Sequence, residues 1–355
     1  MFDLANITVL SVDIFDTLLF RLAEEPKNIF NIVGKRSQKN GCLNQGITPE
    51  EFALLRIRAE QEARKHQAAI NGNREISLSE IYEFLPTTIG NKTQIEELEI
   101  KVECEFCYLN SEILNFIEEA HSQKLSVVLT SDMYLSKSQL IQILKSNKFN
   151  SNFIDEIYVS CEHQCNKVSG KLFQKLISDF PDIKTQHILH IGDKLDADVE
   201  APKSLGIEAY HYSVIPNVMK KIYDYEKICQ ATPQNLNSLR KLAVHTSGDA
   251  NLIENQIGAG ILGPVLTSFC DWILDICEAE GKDSVYPFMR EAEMFAPMLK
   301  NAAQKRKLRL NIIPLHVSRE STWLASLDEW NREECANLLE KYGFTVLDIL
   351  RTIDL

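Results

Sequence analysis

The feature that most constrains the fold is an alternation of two hydrophobic periods between residues 111 and 212. Short apolar, β-branched runs at 125–130, 154–160, 187–191 and 207–212 are separated by helical spacing at 111–123, 136–148, 170–179 and 197–205. Strands joined through single helices run parallel, and such a sheet is covered by helices on both faces. A further run of the same kind, 7–12, ends at Asp13. Between it and the alternation lies a segment rich in helix formers. There Thr48-Pro49-Glu50-Glu51 places a cap, a first-turn proline and two acids before FALLRIRAEQEARKHQAAI, and 92–108 carries a second amphipathic pattern. The sequence therefore predicts an α/β core with a parallel sheet from 1–22 and 111–213, interrupted by an all-helical insertion at 23–110. After 213 the alternation stops. A polar stretch at 231–249 reads as a linker region, and 214–355 is expected to be a mostly helical C-terminal domain with one strand pair near 284–288 and 310–316.

Composition narrows the function classes. With 355 residues the chain exceeds one typical domain of about 150, and 45% hydrophobic residues leave ample material for a core. Lys+Arg 38 against Asp+Glu 50 gives a net charge of −12, so the average surface repels polyanions and no nucleic-acid partner is expected. Nine cysteines, odd and sparse, do not make a disulfide framework, and a reducing cytoplasm fits better. Residues 1–20 mix acids among apolar side chains and lack a basic leader, so they read as structure and not as a signal peptide. The nearest approach to a membrane span, 255–270, is interrupted by Gly258, Gly260, Gly263 and Pro264 and falls short of the roughly 20 residues needed to cross. It is expected to be a buried helix or helix pair. The last residues continue a helical pattern without a stop signal, as in a piece of a longer polypeptide.

Ligands of parallel α/β sheets bind beyond the carboxyl ends of the strands. Four polar signals sit at such ends: Asp13 in SVDIFDTLL, Ser131 in VVLTSD, Lys167 after YVSCEHQCN, and Asp193 with Asp198 in HIGDKLDADV. A carboxylate nucleophile, a hydroxyl, an ammonium and an acidic pair suit phosphoryl transfer. The acids hold Mg²⁺, which prefers oxygen ligands and shields the phosphate charge from the attacking carboxylate.

In order, spacing and strand placement these motifs resemble the haloacid dehalogenase (HAD) superfamily, largely Mg²⁺-dependent phosphohydrolases. The resemblance spans about 7–212, with the helical insertion in the position of that superfamily's mobile cap. It implies a three-layer Rossmann-like core. It further implies that Asp13 forms an aspartyl-phosphate, that Thr17 supports it, and that Ser131 binds the transferring phosphoryl group. Thr130 and Asp132 flank Ser131 as candidate substrate contacts, or the three residues simply end a strand and cap the next turn. Lys167 corresponds to the lysine that neutralises nucleophile and phosphate, and Asp13, the Phe15 carbonyl, Asp193 and Asp198 to the metal ligands.

One position departs from the pattern. The superfamily's second aspartate, two residues after the nucleophile, protonates the leaving oxygen and then activates water; here that position is Phe15. Loss of a general acid/base costs about 10²–10⁴-fold in rate. Asp16, one residue on, replaces it if the loop turns it inward. Relatives that cleave carbon–halogen bonds also lack this acid, yet retention of Asp193 and Asp198 favours phosphate over halide. The expected substrate is a small phosphorylated metabolite such as a sugar phosphate, turned over slowly or from a good leaving group.

Over the whole chain, VDIFDTLLFR, TSDMYLS, KVSGKLF, HIGDKLDADVEA, GILGPVLTSF, PFMREAEMF and HVSRES resemble a bacterial subgroup of HAD-like hydrolases from surface-polysaccharide gene clusters, sometimes fused to glycosyltransferases. This implies a glycosyltransferase domain or partner, and a clamp for an anionic group made by Arg290 and Arg319. Arg290-Glu291-Ala292 departs from the Arg-Asp-Gly or Arg-Glu-Gly usual there. The competing reading, supported by Phe15, is a non-catalytic module that regulates or scaffolds such a glycosyltransferase. Plainer readings cover the remaining features. Arg21 pairs with an acid of the insertion; GAGILG at 258–263 is helix packing and not a dinucleotide fingerprint, for want of a preceding strand; Cys104 and Cys107 are two buried helix cysteines; and Cys161, His163 and Cys165 lack the fourth donor of a zinc site.

Overall fold

All five residues of Val9–Asp13 (β1) are buried, as a strand must be when neighbours flank it on both sides and helices cover both faces. The computed structural model describes residues 4–23, 26–213, 217–228, 236–246, 253–317, 336 and 345–352. They divide into two compact units, Met1–Ile261 and Leu262–Leu355. In the first, β1 is the centre of a five-stranded parallel sheet with Ser126–Ser131 (β4), Glu156–Val159 (β5), Ile188–Gly192 (β6) and Glu208–His211 (β7), in the order β5-β4-β1-β6-β7. Chain order runs outward from β1 in both directions, so β1 lies at the topological switch point where a crevice opens beyond the strand ends. This is the α/β architecture the alternation predicts.

The insertion contains α1 (Pro26–Lys39), α2 (Pro49–Asn71), α3 (Leu78–Glu83) and α4 (Lys92–Phe106). Thr48 caps α2 in a full capping box with Glu51, and Pro49 occupies the first turn as its sequence signal requires. A Cβ on Gly34 would meet the Pro49 backbone at 2.8 Å, so only glycine lets α1 lie this close to the start of α2. The expectation of an all-helical segment needs one correction. Cys107 leaves α4 and opens a short strand, Cys107–Leu109 (β3), antiparallel to Leu19–Arg21 (β2). This two-stranded ribbon joins the insertion to the core. Its pairing is between residues nearly ninety apart, which periodicity does not reveal, and it makes Cys107 a strand residue and not a helix one.

The crossovers are α5 (Ser111–Ser122), α6 (Lys137–Ser146), the short α7 (Ser160–His163), α8 (Lys171–Asp179), and a π-helical turn, Leu195–Glu200, running into α9 (Ala201–Ser204). Beyond β7, α10 (Asn217–Ile228), α11 (Leu236–Thr246) and α12 (Ile253–Ile257) belong to the first unit, whereas the sequence divides the chain at 213 and 214. The Ser111 hydroxyl donates to the His245 carbonyl, and the His245 ring lies 4.9 Å from that of Phe20, which ties α11 to the core.

In the second unit α13 (Gly263–Glu280) packs on α14 (Ala292–Arg306) through Cys270, Leu274, Ala296 and Leu299. Ser284–Val285 (β8) pairs in parallel with Asn311–Ile312 (β9), near the expected positions. GAGILG is helical, and a Cβ on Gly260 would meet Met219 at 3.0 Å, as the packing reading requires. The helical run Ile253–Glu280 is long and apolar enough to cross a membrane by length and composition. This corrects the shorter window of the sequence reading, because the glycines and Pro264 do not interrupt the helix.

The insertion is locked by a buried ion pair. Arg56 of α2 donates to both carboxylate oxygens of Glu99 on α4, at 3.0 and 2.8 Å, and Tyr82 donates to the same carboxylate at 2.8 Å. The guanidinium lies 4.5 Å from the Phe30 ring centroid and 4.9 Å from that of Tyr134. Removing one partner strands a buried charge, so Glu99→Leu is expected to cost about 3–5 kcal/mol in chemical denaturation, whereas Arg56→Met with Glu99→Leu recovers much of that loss.

Candidate active site

The ends of β1 and β4 deliver Asp13 and Ser131 to the crevice, and the chains that follow β5 and β6 deliver Lys167 and Asp193. The Lys167 ammonium is buried between two carboxylates, 2.5 Å from Asp13 Oδ1 and 2.6 Å from Asp198 Oδ1. Thr17 Oγ1 donates to the other oxygen of Asp13 at 3.1 Å. Carboxylate oxygens of Asp13, Asp193 and Asp198 all lie within 4.8 Å of one another, a cluster that can hold a metal ion. A cavity of about 270 Å³ opens over Asp13, lined by Asp13, Asp16, Ser131 and Lys167 from the core and by Phe30, Glu60 and Arg64 from the insertion.

Three carboxylates and one ammonium leave the cluster short of positive charge. Burial, followed by the neighbouring acids, pushes Asp13 up to about 7, although Lys167 opposes the shift. Asp193 rises to about 6, chiefly through burial and then through Asp16 and Asp198. Asp198 moves the opposite way. Burial raises it, but the bond from His190 and the charge of Lys167 outweigh that and hold it below the usual carboxylate range. Lys167 is disfavoured by burial yet held above its ordinary value by Asp13 and Asp198.

Asp198 is oriented by a chain of buried groups. His190 Nε2 lies 3.0 Å from Asp198 Oδ1, His190 Nδ1 lies 2.8 Å from the Ser11 hydroxyl, and the Lys194 amide donates to Asp198 Oδ2 at 2.9 Å. Burial lowers the His190 pKa, so the ring is neutral; a carboxylate accepts only, which places the proton on Nε2 and lets Nδ1 accept from Ser11. The sequence reading missed His190 and Ser11. Both lie inside strands, and the available signal was a polar residue at an inward position of each apolar run. Gly192 is required by the same packing, since a Cβ there would fall 2.3 Å from Asp198 Cγ.

The remaining expected residues are placed as follows. Ser131 lines the cavity, while Thr130 Oγ1 lies 3.5 Å from Ser11 Oγ in the core beneath it, which decides between the two hydroxyls. Both oxygens of Asp132 accept from the Lys167 amide, at 2.9 and 3.1 Å, so it positions the lysine as well as lining the cavity. Asp16 adopts a left-handed conformation, φ 62°, at the cavity rim, with Lys241 of α11 at 3.6 Å. Lys241 carried no motif and is a third residue that the sequence did not disclose. Arg21 pairs with Glu103 of the insertion, as expected. Arg290 is in the second unit, 91% exposed and bonded to the adjacent Glu291, and Arg319, the other member of the expected clamp, lies outside the described residues. Cys161 donates to the Leu135 carbonyl, and Asp13, Asp193 and Asp198 are the only metal-competent group found among the described residues.

No protein-family model and no curated protein matches the chain. Among solved structures it is similar to L-2-haloacid dehalogenase from Xanthobacter autotrophicus, with 11% identity and a TM-score of 0.44, covering 64% of this chain and 84% of that one. It is also similar to the HAD-hydrolase YfnB from Bacillus subtilis bound to magnesium (13%, TM-score 0.41, 62% and 99% covered) and to the HAD family enzyme bt-2542 from Bacteroides thetaiotaomicron (14%, 0.42, 61% and 98%). These neighbours are haloacid dehalogenase superfamily members.

Two outcomes are expected from this geometry. Gly192→Ala displaces Asp198 and should weaken Mg²⁺ binding by about 10–100-fold in calorimetric titration. Because Asp13 and Asp193 must lose protons to take a cation, and their pKa values stand at about 7 and about 6, Mg²⁺ affinity should rise with pH through that window. Binding at about pH 5.5 is expected to be about 100-fold weaker than at about pH 8.

Proposed function

We propose that the chain is a Mg²⁺-dependent phosphohydrolase that acts through an aspartyl-phosphate on Asp13, on a small phosphorylated metabolite such as a sugar phosphate. The supporting observation is the convergence of Asp13, Asp193 and Asp198 within 4.8 Å, with Lys167 bonded to two of them at the floor of a cavity. The donor set fits a hard divalent cation, because all three ligands offer oxygen and the lone ammonium leaves net negative charge. Asp198 accepts from Lys167, His190 and the Lys194 amide, and Asp13 accepts from Lys167 and Thr17, while the Asp193 side chain takes no hydrogen bond among the described residues; Asp193 therefore offers the open ligand position, and the remaining lone pairs of Asp13 a second. When bound, Mg²⁺ offsets the negative charge of the phosphoryl group.

The protein groups do the rest. Thr17 and Lys167 fix the Asp13 carboxylate for in-line attack on phosphorus. Lys167 and the Ser131 hydroxyl face the equatorial oxygens, where charge accumulates in the transition state. The insertion closes the cavity with Phe30, Glu60 and Arg64, and these side chains exclude water and select the substrate.

Phosphate release from a panel of sugar phosphates and acetyl phosphate with Mg²⁺ is expected from the parent protein. Asp13→Asn should lose it by about 10³-fold or more, and EDTA should abolish it. Equal release by parent and variant, or none from any substrate, removes the enzyme reading in favour of a non-catalytic module. Turnover of a 2-haloacid that EDTA leaves untouched means dehalogenase chemistry instead.

A further inference from the structure

The phosphohydrolase reading leaves open how the leaving oxygen is stabilised. Each carboxylate lining the cavity besides Asp13 already has a cation or an N–H donor within 3.6 Å. Asp16 faces Lys241, Glu60 binds Arg56 and Arg64, and Asp132 holds the Lys167 amide with both oxygens. Arg21 is placed differently. Its Nε and Nη2 bind the Glu103 carboxylate, and its guanidinium carbon lies 3.9 Å above the centroid of the Phe15 ring. The side chain is nine-tenths buried and lines the same cavity as Asp13. Among the described residues Nη1 has no hydrogen-bond partner, so one edge of a rigidly held cation remains available beside the nucleophile.

We infer that Arg21 is the leaving-group residue, and that within the class of small phosphorylated metabolites the substrate is an acyl phosphate or the terminal phosphate of a phosphoanhydride, which takes the place of a sugar phosphate or other alkyl phosphate as the example of that class. The inference rests on the phosphohydrolase reading. An arginine keeps its proton, so it stabilises a departing anion but does not protonate one. An alkoxide is too basic to leave on charge stabilisation alone, whereas a carboxylate or a phosphate leaves without a proton. The step balances accordingly. An Asp13 oxygen bonds to phosphorus, the bond from phosphorus to the leaving oxygen breaks, and that oxygen departs with the electron pair as an anion bonded to Nη1. Water then bonds to phosphorus as the bond to Asp13 breaks. The carboxylate is regenerated, and both water hydrogens leave on dihydrogen phosphate, so no protein acid is consumed.

The test compares acetyl phosphate, inorganic pyrophosphate, a series of aryl phosphates of graded leaving-group acidity and glucose 6-phosphate, all with Mg²⁺. Parent kcat/KM for acetyl phosphate or pyrophosphate should exceed that for glucose 6-phosphate by about 10³-fold, within the range set by a missing general acid, and the aryl series should depend steeply on acidity. Arg21→Gln should lower the acyl phosphate and anhydride rates by about 10²-fold and spare the alkyl rate. If that variant does not fold, the parent series decides alone. A shallow series, acyl and alkyl rates within about tenfold, or a steepening on Asp132→Asn overturns the inference, while turnover that still requires Asp13 preserves the phosphohydrolase reading. Absence of Asp13-dependent turnover on every substrate overturns both.

Discussion

The Lys167 ammonium, buried between Asp13 and Asp198, is the interaction on which the site depends. It joins the end of β1 to the segments after β5 and β6, three pieces of chain far apart in sequence. At about 4 Å two carboxylates repel by roughly 4 kcal/mol at an effective dielectric near 20, so three acids within 4.8 Å of one another are not stable without compensation. One lysine compensates only in part. The residue of that imbalance is visible in the raised Asp13 and Asp193, and it is the electrostatic basis for a divalent cation.

A second set of buried charges organises the insertion. Glu99 and Glu103 lie one turn apart on α4 and bind Arg56 and Arg21 respectively. One helix therefore fixes both the interior of the insertion and the ribbon that joins it to the core. Arg21 belongs at once to this scaffold and to the cavity wall. The stacking of its guanidinium on Phe15 gives that ring a structural use.

Much of the core was legible because its signals are local. Strand and helix periods located the five parallel strands to within a few residues, and the polar residues that end them marked Asp13, Ser131, Lys167 and Asp193. The Thr48 cap and first-turn Pro49 of α2 were equally readable. His190 was not, because a buried histidine in an apolar strand differs from a core residue only through the partner across the sheet. The β2–β3 ribbon escaped notice because three-residue strands have too short a period to register. The membership of α11 in the first unit depends on its contacts with α5 and β2, which no composition shift announces.

The sequence by itself determined the parallel sheet, the interruption after β1, and the convergence of acids and lysine at one end, since side-chain alternation and strand termini follow from neighbouring residues along the chain. The tertiary structure alone decided that Ser131 and not Thr130 meets the cavity, that Lys241 reaches Asp16, and that Arg21 lies on Phe15 with one edge uncommitted. Each of these depends on register or on groups brought together from distant segments, and hydrophobic periodicity carries no information about which distant side chain arrives.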